Sequence, residues 1–246
     1  MGKFIAYFDY LGYKSFIENC EADRLDTRIG HILRDIEMSM GNGKYTESSK
    51  GHLVADISSS IVNCLNISDT VIFSTKDDSK ESLIELLEVA KKFNFQSNFY
   101  NMPVRGAILH DEYEMLSSQS KNEAGSTYSV NMIYGKGLVK VHNKAESLNW
   151  AGAVIDDSVI SKIAETEDVA TFLAPYAKKY PVPYKQEPHI REEYALKLLV
   201  EGQNEKSIEN MCRNIQDSFA RDNKPTESER VQTIIANTVA FVKSHN

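Results

Sequence analysis

Residues 3–16 read KFIAYFDYLGYKSF, and the way this stretch ends decides the fold. Its first part, KFIAYFD, crowds aromatic and aliphatic side chains in the manner of a strand buried in a sheet, and it stops at an acid, Asp9. Gly12 then marks a turn. From Ser15 to Met40 a helix is expected, because Phe16, Ile17, Ile29, Ile32, Leu33 and Ile36 recur at helical spacing and form an inward stripe. A strand passing through a glycine turn into a helix aims the backbone N–H groups of Leu11, Gly12, Tyr13 and Lys14 toward a place where an anion can bind. An ordinary strand-to-helix turn would use the same residues.

Working outward, residues 41–51, GNGKYTESSKG, are rich in Gly and Ser and read as a loop. A second strand is expected within 57–67 and a third over 70–75, with Ser68 and Asp69 at the turn between them. SKESLIELLEVAKKFNF, residues 79–95, opens with a serine cap before an amphipathic helix. A fourth strand is expected over 103–109, a loop over 117–127, a helix from Gly135 to about Trp150, and a further strand over 152–156. This β-α-β-β-α-β order, with an extra helix and strand, is the split βαβ or ferredoxin-like arrangement of the α+β class. Its antiparallel sheet would carry helices on one face. Past Tyr180, PVPYKQEP reads as extended, YALKLLV (194–200) as an edge strand, and 205–245 as two helices separated by RDNKPTES. Residues 1–200 therefore form the expected core domain and 201–246 a helical extension.

Composition narrows the possibilities. A chain of 246 residues buries a real core, and 41% hydrophobic with 26% charged residues is ordinary for a folded domain. No apolar run approaches the ~20 residues of a membrane helix, so no membrane association is expected. The opening apolar stretch is short, broken by Asp9, and reads as a strand, not as a leader peptide or a myristoylation site. Three widely spaced cysteines, Cys20, Cys64 and Cys212, make no CxxC pair, which suits a reducing cytoplasm and disfavours a disulfide framework or zinc knuckle. A net charge of −7 argues against general nucleic-acid binding. It leaves room for a small anion held by a few local cations and metal ions.

Two acids stand out by position. Asp9 ends an apolar strand and Asp69 tips a hairpin with apolar arms; in a ferredoxin-like sheet these are neighbours. Buried carboxylates are costly, and two that converge raise each other's pKa unless a cation intervenes. Hard oxygen ligands suit Mg²⁺ or Mn²⁺. The plainer reading is that each acid caps a turn. Arg105, between Val104 and Gly106 on an apolar strand, needs a ligand's anionic or carbonyl oxygen, or a neighbouring acid. His110, Asp111 and Glu112 are adjacent on an extended chain, alternate in direction, and do not easily share an ion. No nucleophile elbow, Walker loop or HExxH is present.

Taken in order, FIAYFDYLGYKSF, SDTVIF, PVRGAI, YGKGLVKVHNKAE and GAVID resemble the class III nucleotidyl cyclase domain. Within it the chain is most similar to the bacterial pyrimidine cyclases of Pycsar anti-phage defence. The shared features are Ser-Asp at the hairpin, an Arg-Gly-Ala-Ile strand and the Val-Pro-Tyr-Lys segment at 182–185. The resemblance covers about residues 3–200. It implies a cyclase catalytic domain that converts UTP or CTP into a 3′,5′-cyclic nucleotide and pyrophosphate, the product being read by a separate cyclic-nucleotide effector. It also implies that Asp9, Asp69 and the carbonyl of Tyr10 hold two Mn²⁺ or Mg²⁺ ions per site. Arg105 would belong to the nucleotide pocket, and a head-to-tail homodimer would build composite active sites. Purine cyclases carry a transition-state Asn and Arg on the helix after Gly135; Val139 and Asn143 occupy those positions here. Lys136, Lys140 and Lys144 share one helix face, so Lys140, with Asn143, is a candidate to supply the missing charge from a partner subunit. A solvated lysine stripe has the same spacing. Leu65 stands where adenylate cyclases select their base with lysine, which disfavours ATP. Two alternatives remain: a degenerate cyclase-like module that binds nucleotide or dimerises without catalysis, and another palm-domain enzyme.

Overall fold

A computed structural model describes residues 2–199 and 204–245. Strand β1 (Gly2–Tyr10) turns through Gly12, at φ 79°, into α1 (Tyr13–Asn19), and α2 (Ala22–Gly41) follows after a break at Cys20 and Glu21. The single helix expected over 15–40 is thus two. Within the expected 41–51 loop lies β2 (Tyr45–Glu47), which pairs with β3 (Leu53–Ala55) just beyond it as a small, largely exposed ribbon. The hairpin of β4 (Asn63–Ile67) and β5 (Thr70–Ser74) falls where expected, turning at Ser68 in a left-handed conformation. Helix α3 (Lys80–Tyr100) is capped by Ser79, whose side chain accepts from the Ser82 N–H, as its sequence demanded.

Strand β6 (Val104–Glu112) leads into a separate hairpin, β7 (Glu114–Lys121) and β8 (Thr127–Tyr134). The loop expected at 117–127 is therefore mostly strand, and only its tip around Asn122–Ser126 is a turn. Both arms are largely solvated, so no alternation of apolar and polar residues announces them. Next come α4 (Lys136–Ser147), β9 (Ala153–Ile155), α5 (Asp157–Ala164), α6 (Val169–Leu173), β10 (Ala177–Pro183), β11 (Ile190–Leu196), α7 (Glu205–Ala220) and α8 (Glu229–Lys243).

The main sheet has seven strands in the order β10-β11-β9-β6-β1-β5-β4, antiparallel except for the β6–β9 pair. This is the expected α+β architecture with a helical C-terminal appendage. YALKLLV is not an edge: β11 lies between β9 and β10, and β10 forms the border. Val200 and the division between residues 200 and 201 lie outside the described residues.

Helices cover both faces of the sheet, not one. Phe4, Ala6, Phe8 and Tyr10 of β1 join the core with residues of α1, α2, α3, α5 and α6, while Ile5 and Tyr7 face a second core. That second core includes Val141 of α4, Met211 and Ile215 of α7, and Phe241 of α8. A strand apolar on both faces requires this double cover. The one tryptophan, Trp150, stacks on Tyr180 at 5.7 Å and meets Phe241 edge-on at 4.7 Å, which fixes α8 against the sheet. No helix among the described residues is long and apolar enough to cross a membrane.

Candidate active site

The register of β1 builds the site. Asp9 lies opposite Thr70 on one side and Arg105 on the other. The Tyr10 N–H donates to the Asp69 carbonyl at 2.9 Å, so the hairpin turn is fastened to the end of β1 and both acids lie at the same end of the sheet. The Asp9 side chain is only 14% exposed. Burial pushes its carboxyl up to about 6; Arg105 opposes the rise, and the charges of Glu146 and Asp69 reinforce it. The charge of Asp69 thus reaches Asp9.

Arg105, almost fully buried, donates to Asp9 Oδ2 from Nε at 3.1 Å and from Nη2 at 2.9 Å. Nη2 also donates to Glu146 Oε1. The partner of this strand arginine within the chain is a pair of carboxylates, the neighbouring-acid arrangement. Its Nη1 makes no hydrogen bond among the described residues.

Glu146 was not singled out by the sequence. It sits in the last turn of α4, and its residue type there looks like ordinary helix surface. Lys185 joins it, donating to the Glu146 carbonyl and approaching Oε2 at 3.8 Å. Burial holds Lys185 below the usual lysine range, helped by the charge of Arg105 and opposed by Glu146. Tyr7 completes the wall, its hydroxyl 3.2 Å from Thr70 Oγ1. Burial pushes this phenol up, as do the nearby charges of Asp9, Glu146 and Asp69. Two further carboxylates, Glu146 and Asp69, thus act on Asp9, against two cations, Arg105 and Lys185.

The anion-facing turn is partly as expected. The Leu11 N–H is taken by the Pro103 carbonyl at 2.8 Å, so Leu11 offers no donor. Gly12, Tyr13 and Lys14 open the first turn of α1, where backbone N–H groups lack helical partners. Burial raises the Tyr13 phenol, and the Asp69 charge adds to the rise. Tyr13 packs on Tyr10 and Phe16, and Lys14 is solvated beside Glu18 at 3.7 Å.

The lysine stripe of α4 is neutralised within the chain. Lys136 pairs with Glu112 at 3.4 Å, Lys140 with Asp111 at 2.5 Å, and Lys144 with Glu193 at 2.8 Å. Lys140 and Asn143 line a polar depression with Asp111, Asp156 and Arg191, so one chain does not bring them to Asp9. A different groove of about 500 Å³ contains Tyr7, Leu65, Ile67, Asp69, Leu138 and Val139 and is mostly apolar. Val139 is 60% exposed at its rim.

No group of three His, Cys, Asp or Glu among the described residues forms a ready metal cluster. The donor set nevertheless fits a hard divalent cation, because Asp9 stays strained in the presence of Arg105 and the local carboxylates outnumber the cations.

The fold is similar to that of solved nucleotidyl cyclase domains. The guanylate cyclase domain of RhGC from Catenaria anguillulae, solved in complex with GTP, matches with a TM-score of 0.50. That match covers 80% of this chain and 96% of that one at 7% identity. The guanylyl cyclase domain of the RhoGC fusion protein from the aquatic fungus Blastocladiella emersonii, described as non-canonical dimeric, matches with a TM-score of 0.51, covering 79% and 93% at 8% identity. The catalytic core of a rhodopsin-guanylyl cyclase with converted specificity, in complex with ATPαS, gives 0.50 over 80% and 95% at 7% identity. At such identities the likeness is one of fold. No protein-family model matches the sequence, and no curated protein matches it.

Proposed function

We propose that the chain is a metal-dependent nucleotidyl cyclase acting on UTP or CTP. The observation that carries this reading is the pair Asp9 and Asp69, fastened at one end of the sheet with an excess of carboxylate that a cation would relieve. The fold supports it. In the reaction the ribose O3′ forms a bond to the α-phosphorus, the bond from that phosphorus to the pyrophosphate oxygen breaks, and the hydroxyl proton is lost to water. Asp9, Asp69 and the Tyr10 carbonyl would hold Mn²⁺ or Mg²⁺. When bound, the two ions lower the pKa of the 3′-hydroxyl and neutralise the leaving pyrophosphate. Arg105 and Lys185 place fixed positive charge beside the acids, where it would face the charge that grows on the phosphate oxygens.

The active unit in this reading is a head-to-tail homodimer with composite sites. Lys140 and Asn143, which do not reach Asp9 within one chain, would come from the partner, and the apolar rim at Ile67 and Val139 would be covered. The cyclic pyrimidine nucleotide would be made in the cytoplasm as an anti-phage second messenger and read by a separate effector.

The pairing of Arg105 with Asp9, and the loss of the Asn and Arg positions at Val139 and Asn143, favour one other reading, a nucleotide-binding module without catalysis. Incubating the protein with each of the four ribonucleoside triphosphates and Mn²⁺, then identifying products by mass spectrometry, separates the two. A cyclic pyrimidine nucleotide from the wild type and none from Asp9→Asn or Asp69→Asn is the expected result. No cyclic product from any triphosphate would leave the binding module.

A further inference from the structure

Beside the Gly12 turn, a cleft of about 340 Å³ is bordered by the connection between α7 and α8. Its volume is at the small end of ligand pockets, ~300–1,000 Å³. Its polar wall consists of Ser15, Lys224, Ser228 and Arg230, and no Asp or Glu lines it among the described residues. Lys224 is 7% exposed, and its ammonium makes no hydrogen bond among those residues. The nearest acid, Asp222, is already engaged on both oxygens, Oδ1 by Arg24 and Oδ2 by Arg28. A buried ammonium without a hydrogen-bond acceptor is costly and signals an anion to come.

The lysine's path is set by the turn it crosses. A methyl group on Gly12 would lie 3.0 Å from Lys224 Cδ, so the absence of a side chain at that position lets the lysine stem pass over the start of α1. Arg230 continues the line of positive charge: it is near enough to Lys185 to depress that lysine's pKa, and Lys185 in turn touches Glu146 beside Arg105. Leu11 and Gly12 line the cleft and directly follow Asp9 and Tyr10, so the cleft adjoins the acid-bearing end of β1. Burial holds Lys224 down to about 8, so the charge is present at neutral pH and poorly solvated.

We infer that the C-terminal helices supply an anion site for a diphosphate, with Lys224 as its buried ligand and Arg230 at its mouth, and that the diphosphate is the terminal pair of phosphates of the bound nucleotide. This deepens the cyclase reading and rests on it for the identity of the ligand, but not for the anion site itself. Neither residue lies in the part of the chain that resembles the cyclases.

The test is calorimetric titration of the full-length chain with inorganic pyrophosphate in EDTA, followed by displacement with UTP, so that no turnover contributes. Wild type should bind pyrophosphate and release it to UTP. Lys224→Met keeps the stem and removes the charge, and should weaken binding at least about tenfold, as losing a charged hydrogen bond does. Its melting temperature should hold or rise, because an unsolvated charge has gone. If Lys224→Met does not fold, Arg230→Ala at an exposed position serves in its place and should weaken binding several-fold without changing the melting temperature. Failure of wild type to bind pyrophosphate overturns the inference, as does unchanged affinity in both variants or pyrophosphate that UTP cannot displace. Cyclic product from a wild type that ignores pyrophosphate would sink this site and leave the proposed function standing; Lys224-dependent pyrophosphate binding without any cyclic product would do the reverse.

Discussion

In metal-free solution, replacing Asp9 by Asn should stabilise the protein at neutral pH, and the size of the gain follows from the site. The carboxyl is raised from 3.8 to about 6 in the folded chain, with burial as the main cause. A shift of about 2.2 units corresponds to ~3 kcal/mol. Because the folded pKa is the higher one, the folded state binds more protons than the unfolded state between about pH 4 and 6. Stability from this group is thus fully present below pH 4 and is lost as pH rises through 6. Asn resembles the protonated form and does not titrate. Asp9→Asn should match wild type near pH 4 and exceed it by ~3 kcal/mol at pH 8, a rise of roughly 6–12 °C in Tm for a chain of this size.

Urea unfolding in EDTA at several pH values measures this directly, with the slope m checked to be unchanged. The reasoning fails if Asp9→Asn is less stable than wild type at pH 8, for then the contact with Arg105 outweighs the burial and repulsion at Asp9. Adding Mn²⁺ should reverse the order. An ion at a thousandfold excess over its Kd stabilises the folded state by ~4.1 kcal/mol, more than the ~3 kcal/mol gap, and only the wild type has the full acid pair to hold it.

Arg105→Lys keeps the charge but loses the two-point contact to Asp9 and the bridge to Glu146. It should lower Tm and cut kcat/KM at least about tenfold, read by thermal melts and initial rates together. Asp222→Ala should cost ~3–5 kcal/mol in chemical denaturation, because it strands the buried Arg28. Val139→Glu, at a site exposed in the single chain, should shift sedimentation from dimer to monomer with loss of activity while the monomer still folds; a dimer that survives would place the interface elsewhere.

The parts of this molecule that were legible in the sequence are those whose cost is local. Asp9 at the end of KFIAYFD is conspicuous because an acid there must be answered by something, and Ser79 before an amphipathic run is a cap whatever surrounds it. What answers Asp9 was not legible. Arg105 faces it only through the β1–β6 register, and Glu146 only because the last turn of α4 closes over that pair. A glutamate on a helix near three lysines reads as solvated surface; burial by tertiary packing leaves no periodic trace. The same limit explains β11. An apolar YALKLLV is compatible with an edge or an interior strand, and its place was decided by pairing to β9 and β10, which local patterning does not encode. Strands β7 and β8 were missed for the opposite reason, since they are solvated along most of both arms and carry no buried face to pattern.

The C-terminal extension illustrates how such long-range choices reach the site. Asp222 and Asn223 both adopt left-handed backbone conformations, which Asp and Asn tolerate better than other side chains. The turn they make has two products. On one side Asp222 meets Arg24 at 2.7 Å and Arg28 at 2.9 Å on α2, while Asn19 and Asn223 exchange side-chain-to-backbone hydrogen bonds. On the other side Lys224 crosses Gly12. Buried ion pairs of this kind contribute little net stability, since desolvation offsets most of the attraction, but misplacing them is expensive. Their effect here is to fix where the turn sits. The same contacts therefore clamp the end of α1 and deliver an ammonium to the turn between the acid-bearing strand and that helix. An extension that only covered the apolar face of the sheet could have done so with the stripes of α7 and α8 alone; the charged turn between them is explained by what it holds in place.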